Sequence, residues 1–344
     1  MTAPSAAALA GFLRRIKPDN FTLSLLATVL LASLLPVRGA AAPVFSDITT
    51  VAIGALFFMH GAKLSKEAVI AGLAHWRLHL LVLMGTFVLF PILGLLMKPL
   101  ALALVTPELY LGLMFLCTLP STVQSSIAMT SMARGNIPAA ICSASASNFI
   151  GIFLTPLLVS LLVVHGNAGK SSGDAVLAIV AQLLLPFIAG QLLRRWIGNW
   201  VERNKAALKF VDQGSILLVV YTAFSEAVGQ GLWQKLAPST LLLLLLLNGV
   251  LLALVLTIGT FTSRRLGFAK EDEITIVFCG SKKSLASGVP MAKVLFANHA
   301  LGMVILPLML FHQLQLMVCA VLAQRYAARA TPTQAAAPVP GFTK

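Results

Sequence analysis

TIVFCGSKKSLASG, residues 275–288, sets a glycine and two adjacent lysines, Gly280, Lys282 and Lys283, inside a run that is otherwise apolar from Ile274 to Phe296. What those charges mean depends on the solvent around them. The chain has 344 residues, 58% of them hydrophobic and only 10% charged, and its mean hydropathy is +0.91. A soluble domain carries about a quarter charged residues. Runs such as Leu241–Leu247 and Val250–Leu256 exceed what one face of a soluble helix needs. The composition therefore predicts an all-α polytopic membrane protein whose surrounding partner is the lipid bilayer.

The net charge of +14 raises the question of nucleic acid. The basic residues stand singly or in pairs between apolar segments, without aromatic interleaving, so they read as juxtamembrane charge and no nucleic-acid partner is expected. Cys117, Cys142, Cys279 and Cys319 all lie in apolar segments and form no CxxC pair. They read as small hydrophobes; no metal site is expected. Arg14, Arg15 and Lys17 before the apolar run 21–35 imitate a signal peptide, yet the run is expected to stay as a first helix.

Apolar windows of about twenty residues predict ten transmembrane helices, at 21–37, 46–61, 78–97, 107–132, 137–164, 175–193, 209–228, 239–262, 273–296 and 301–322. With the N-terminus in the cytoplasm, 18 of the 25 Lys and Arg fall in cytoplasmic segments and five in outer ones. Lys and Arg accumulate in segments that are not translocated. The split supports a multi-pass protein of the cytoplasmic membrane with both termini inside, and it strands only Lys282 and Lys283 in the bilayer. Ten helices divide into a first five-helix repeat, 21–164, and a second, 175–322. Two odd-numbered halves insert with opposite orientation, so the repeats are inverted. Residues 1–20 form a cytoplasmic N-terminal segment, and the tail 331–344, rich in Ala and Pro, is expected to be disordered.

The halves echo each other. The fourth segment is interrupted by LPSTVQSS (119–126) and the ninth by CGSKKS (279–284), and each is followed by a helix with a proline in an apolar frame, FLTPLLV (153–159) and VILPLML (304–310). Matched breaks in two halves point to a midplane binding site. Unwound backbone at that depth is tolerated only against protein or a wet cavity. Thr122, Gln124, Ser125 and Ser126 stand at the first break; Gly280, Ser281 and Ser284 stand at the second. The fifth segment adds Asn148, with Ser143 and Ser147 on one helix face. Hydroxyls, carboxamides and freed carbonyls suit a hard cation or a polar substrate. Small residues also allow close helix packing, the alternative for any single serine.

A lysine at the bilayer centre costs about 2.5–3.5 kcal/mol on insertion scales. Lys282 and Lys283 lie roughly 15 Å of helix rise from either exit, too far to snorkel. With the helix broken, one amine could sit at the C-terminal carbonyls of the first half-helix while the other faces the substrate path. Acidic partners are scarce; Glu226 is the candidate counter-charge, although it and Asp212 sit toward segment ends, and His60 reads as interfacial. A positive cavity attracts anions, as half-helix N-termini do.

At these residues the chain resembles the bile acid:sodium symporter family, solute carrier family 10, over nearly its whole length. IGALFFMHGAKLSKE (53–67), the stretch from Pro120 to SMARGN (131–136) and TIVFCGSKKSLASG carry the likeness. The Ser-Lys-Lys-Ser core is most similar to the bile-acid-symporter-like (SBF-like) branch, which includes bacterial proteins and the seventh member of the human family. The resemblance implies a panel domain and a core domain, with helices four and nine unwound and crossing, and sodium bound around that crossing. Ser126 matches a family hydroxyl ligand, whereas Ile127 stands where a ligand asparagine is expected. Ser143 and Ser147 correspond to a hydroxyl pair of helix five. Phe278 takes the place of the helix-nine glutamate, and Lys282 and Lys283 the places of a glutamine and an asparagine. Sodium coupling is thus in question, and a structural lysine charge or proton coupling could replace it.

The expectation is a secondary transporter, not an enzyme, moving a small organic anion by alternating access. It needs no cofactor, with Na+ or H+ as the coupling ion. Two other classes remain: a non-transporting membrane regulator of the same fold, and an intramembrane Ser-Lys enzyme. HExxH, GxSxG and paired intramembrane carboxylates are all absent.

Overall fold

The computed structural model describes residues 20–63, 75–162, 173–296 and 300–329. Arg14, Arg15, Lys17, Lys66, Lys170, Lys344 and the tail 331–344 lie outside them. Every regular element among the described residues is helical, with no strand. Among the described residues, six helices are long and apolar enough to cross a membrane: Ala41–Lys63, Trp76–Leu96, Ile137–Leu162, Ala206–Gly229, Pro238–Arg265 and Leu301–Ala327. Large apolar side chains cover the outside, among them Leu34, Val51, Leu242 and Phe261. Such a surface suits acyl chains and not water. This is a multi-pass membrane protein.

In chain order the helices are α1 (Asn20–Leu34), α2 (Ala41–Lys63), α3 (Trp76–Leu96), α4 (Lys98–Leu104), α5 (Pro107–Thr118), α6 (Gln124–Met132) and α7 (Ile137–Leu162). There follow α8 (Gly173–Arg203), α9 (Lys205–Gly229), α10 (Leu232–Lys235), α11 (Pro238–Arg265), α12 (Lys270–Gly280), α13 (Leu285–Leu295) and α14 (Leu301–Ala327). The fourth and ninth apolar segments are each two half-helices, α5/α6 and α12/α13, of 12, 9, 11 and 11 residues. None of these alone reaches the roughly 20 residues a span requires. Within α3, residues Gly85–Leu89 form a π turn.

The helices fall into two groups that meet where α9 packs on α13 and α14 and where α7 packs on α8. In the first, α1, α2, α8 and α9 lie on one another. Gly61 and Gly190 bring α2 and α8 into backbone contact: a Cβ at Gly61 would overlap the Phe187 carbonyl, and one at Gly190 the Phe58 carbonyl. Glycine at both positions is what lets the axes come so close. In the second group, α14 packs on α5, α6, α11 and α13, and α12 packs on α3, α6, α7 and α11. Gly112 of α5 meets α14 in the same manner, where a Cβ would stand 2.5 Å from the Val304 carbonyl oxygen.

The end of α6 is tied to the start of α12. Arg134 takes a left-handed conformation (φ 58°) that stops α6. Asn136 then caps α7, its Oδ1 accepting from Ala139 N at 3.1 Å, while its Nδ2 donates to Asp272 Oδ1 at 2.8 Å. Nearby, buried Glu273 accepts from Lys270 Nζ (2.6 Å), from Arg264 Nε and Nη2 (both 3.2 Å) and from Tyr326 Oη (2.9 Å).

Candidate functional site

Breaking two helices in a low-dielectric interior leaves backbone groups that must find partners. Here each break supplies the other. The last carbonyls of α12, Phe278 O and Cys279 O, accept from Ser126 Oγ (3.3 Å) and Ser121 Oγ (2.6 Å) of the α5/α6 break. In return Ser284 N donates to Pro120 O at 2.9 Å. The peptide of Ser121 is held by α7: its N–H donates to Ser147 Oγ (3.0 Å), and its carbonyl accepts from Asn148 Nδ2 (2.6 Å). The two interruptions thus form one junction.

The free end of α5 is closed by side chains. Thr118 Oγ1 donates to Phe115 O (2.7 Å), Thr155 Oγ1 to Thr118 O (2.9 Å), and Lys283 Nζ to Cys117 O (2.9 Å). The same amine donates to Leu119 O and to Thr86 O of the π turn, both at 2.7 Å, and lies 4.1 Å from the centre of the Phe90 ring. Lys282 Nζ donates to Ser125 O at 3.0 Å. Both lysines are completely buried, and neither joins an ion pair among the described residues. The expected arrangement is corrected here. Lys283 closes the end of α5 and not of its own half-helix, and neither amine lines a cavity: three junction carbonyls hold Lys283 and one holds Lys282. Glu226, the expected counter-charge, is exposed in the last turn of α9; the compensation comes from backbone dipoles.

A cavity of about 440 Å³ lies between the two helix groups. The first group contributes Phe57, His60 and Lys63 from α2, Phe187 from α8, and Lys209, Asp212 and Ile216 from α9. The second contributes Thr122, Val123, Gln124 and Ser125, then Ser145, Asn148, Phe149 and Ile152, then Ser284 to Ser287, and finally His312 and Leu316. The N-terminal turns of α6 and α13 therefore converge on one space. The first N–H groups of any helix lack intrahelical acceptors and carry partial positive charge. Ser284 caps α13 through Ser287 N, whereas no side chain caps α6.

Of the residues singled out from sequence, Thr122, Gln124, Ser125, Asn148 and Ser284 line this cavity. Ser126, Ser147, Gly280, Ser281, Lys282 and Lys283 sit behind it in the buried junction, and Ser143 bonds His79 Nδ1 at 2.7 Å away from it. His60 and Asp212, read as interfacial, line the wall, where Asp212 pairs with Lys63. Sequence reasoning missed Gln315, which is completely buried. Its Oε1 accepts from Lys283 N (2.8 Å) and its Nε2 donates to Lys283 O (3.0 Å). His312, one turn earlier, lines the cavity, and its Nδ1 lies 3.0 Å from Gln315 Nε2. The polar cluster His312, Gln313 and Gln315 inside an apolar span was the available signal.

Comparison with known proteins now identifies the group. The model of the SBF-like CPA transporter family matches residues 19–328. An uncharacterized protein of Pseudomonas aeruginosa is 66% identical over 323 residues, 94% of this chain and 97% of its own length. A putative symporter of Escherichia coli, YfeH, is 59% identical over 318 residues, 92% of this chain and 95% of its own. Sodium/bile acid cotransporter 7 of Xenopus tropicalis is 31% identical over 322 residues, covering 91% and 92%. The family and the relatives whose names state an activity are transporters, not enzymes. With that match along nearly its full length, the chain belongs to the SBF-like CPA transporter family.

Proposed function

We propose that the protein is a secondary transporter carrying a small organic anion across the cytoplasmic membrane by alternating access. One observation carries the reading: the N-termini of two half-helices, α6 and α13, point into a single cavity between the two helix groups. Helix N-termini favour anions, and Asp212, already paired with Lys63, is the only carboxylate on the wall among the described residues. In this reading Gln124, Ser125, Thr122, Asn148 and Ser284 contact the solute. Ser126, Ser147, Gly280, Ser281, Lys282 and Lys283 shape the crossing that presents those N-termini, while Ser143 holds α7 to α3 through His79.

The fold reading accompanies it. Ten membrane segments form two inverted five-helix repeats, 21–164 and 175–322, between a cytoplasmic segment 1–20 and a disordered tail 331–344. The group α1, α2, α8 and α9 acts as the panel and the remaining helices as the core. Both termini face the cytoplasm, and the cavity opens inward past Lys63 and Lys209.

The test is uptake of radiolabelled organic carboxylates, sulfates and phosphates into proteoliposomes under imposed proton, sodium and voltage gradients. Gradient-dependent accumulation of at least one anion is expected. Absence of flux for every anion under every gradient would remove the proposal.

A further inference from the structure

The two neighbouring lysines differ in how their amines are used. Lys282 donates to one carbonyl, Ser125 O. Lys283 donates to three, from Thr86, Cys117 and Leu119, at 2.7–2.9 Å, and the Phe90 ring face closes the fourth side at 4.1 Å. These acceptors come from different parts of the fold: the π turn of α3, the C-terminal end of α5 and the unwound stretch after it. A helix C-terminus favours a cation, a π turn alters the backbone hydrogen-bond pattern around it, and an aromatic face adds cation–π attraction. Gln315 clamps the peptide of Lys283, so the amine is held from its own backbone outward.

Rings of backbone carbonyls strip and coordinate monovalent cations. An ammonium group presents one N–H to each of three oxygens. A neutral amine would have only two and would turn its lone pair on the third oxygen. The cage is therefore built for a charged occupant, and it has one that cannot leave.

We propose that the Lys283 ammonium is a tethered monovalent cation: it fills a carbonyl cage that would otherwise take a free ammonium or alkali ion, so the helix junction binds no inorganic cation. Without it, Thr86 O, Cys117 O and Leu119 O would converge with nothing to neutralise them. The inference goes beyond the transport reading. It is tested by stability, so a failed uptake assay leaves it standing and its own failure leaves that reading standing.

The experiment compares thermal unfolding of the purified full chain in chloride salts of choline, sodium, potassium, ammonium and methylammonium at equal ionic strength. Wild type is expected to melt at the same temperature in all five. Lys283→Ala is expected to melt roughly 6–20 °C lower in choline, as for loss of one partner from a buried charged cluster. Methylammonium, which matches the deleted terminus, and then ammonium or potassium should restore at least half of that loss saturably. Lys283→Met fills the same space without charge and should stay low in every salt. A saturable shift of wild type by sodium or potassium overturns the proposal; so does a Lys283→Met protein as stable as wild type, or a Lys283→Ala protein that no cation restores. If Lys283→Ala folds in none of the salts, the wild-type and Lys283→Met arms decide alone.

Discussion

Gln315 grips Lys283 by both polar groups of its backbone, accepting from the N–H at 2.8 Å and donating to the carbonyl at 3.0 Å. This pair of hydrogen bonds replaces what an unbroken helix through α12 and α13 would have given the same residue. It also fixes which way the carboxamide faces, because a flipped Gln315 would oppose donor to donor and acceptor to acceptor. Its second Nε2–H then meets His312 Nδ1 at 3.0 Å, which makes that ring nitrogen the acceptor.

Gln315→Leu keeps the volume and removes both contacts. Leaving a buried donor and a buried acceptor unpaired costs about 1–3 kcal/mol each. Thermal unfolding of the variant should fall by roughly 4–24 °C, and an unchanged midpoint would mean that the clamp is incidental.

A charge at the α6 N-terminus tests the anion reading directly. Gln124 is exposed to the cavity, so Gln124→Glu should fold normally. An added carboxylate near an anionic solute should weaken apparent affinity about tenfold or more. The readout is concentration-dependent uptake of the anion found in the proteoliposome screen. Unaltered or improved affinity would argue for a neutral or cationic solute.

The contact between α2 and α8 depends on the absence of side chains. Gly190→Val places atoms where the Phe58 carbonyl stands and should prevent the helices from closing, seen as aggregation in size-exclusion chromatography. Gly54 lies on the same helix as Gly61 with open space where its Cβ would be. Gly54→Ala should behave as wild type or slightly better, since alanine suits a helix interior by about 1 kcal/mol.

Glu273 is 2% exposed and receives bonds from Arg264, Lys270 and Tyr326. Glu273→Gln weakens all of them at once, and Tyr326→Phe removes one. Melting experiments should rank the first as the costlier, at about 1–3 kcal/mol against about 1. The reverse order would show that the hydroxyl and not the carboxylate organises this corner.

Much of this fold is legible in the sequence, and the reason is local. Pro120 and Gly280 stand in polar runs where the surrounding windows are apolar, so both interruptions declare themselves. The destination of the lysines does not. No carboxylate stands at the depth of Lys282 and Lys283 in the sequence, a pattern that suggests amines facing a wet space. The acceptors are instead carbonyls of Thr86, Cys117, Leu119 and Ser125, and a backbone carbonyl is carried by every residue alike. The π turn at Gly85–Leu89 has no composition of its own. Asp212 and His60 look interfacial by position along their helices; only the packing of α2 against α9 turns them to the cavity wall.

The seam between the two helix groups is lined by Phe57, Phe187 and Ile216 on one side and by Phe149, Ile152 and Leu316 on the other, with Phe149 and Phe187 in ring contact at 5.7 Å. The polar contacts described above each join helices of the same group: Lys63 with Asp212 in one, the junction bonds in the other. Greasy surfaces exchange neighbours at little cost, whereas prying the paired interruptions apart would strip Ser121, Ser126 and Ser284 of their acceptors together. In the proposed alternating access, a shift along that seam would exchange apolar neighbours, including those of α9 on α13 and α14, and would leave the junction bonds intact, so the polar interior would travel with one side.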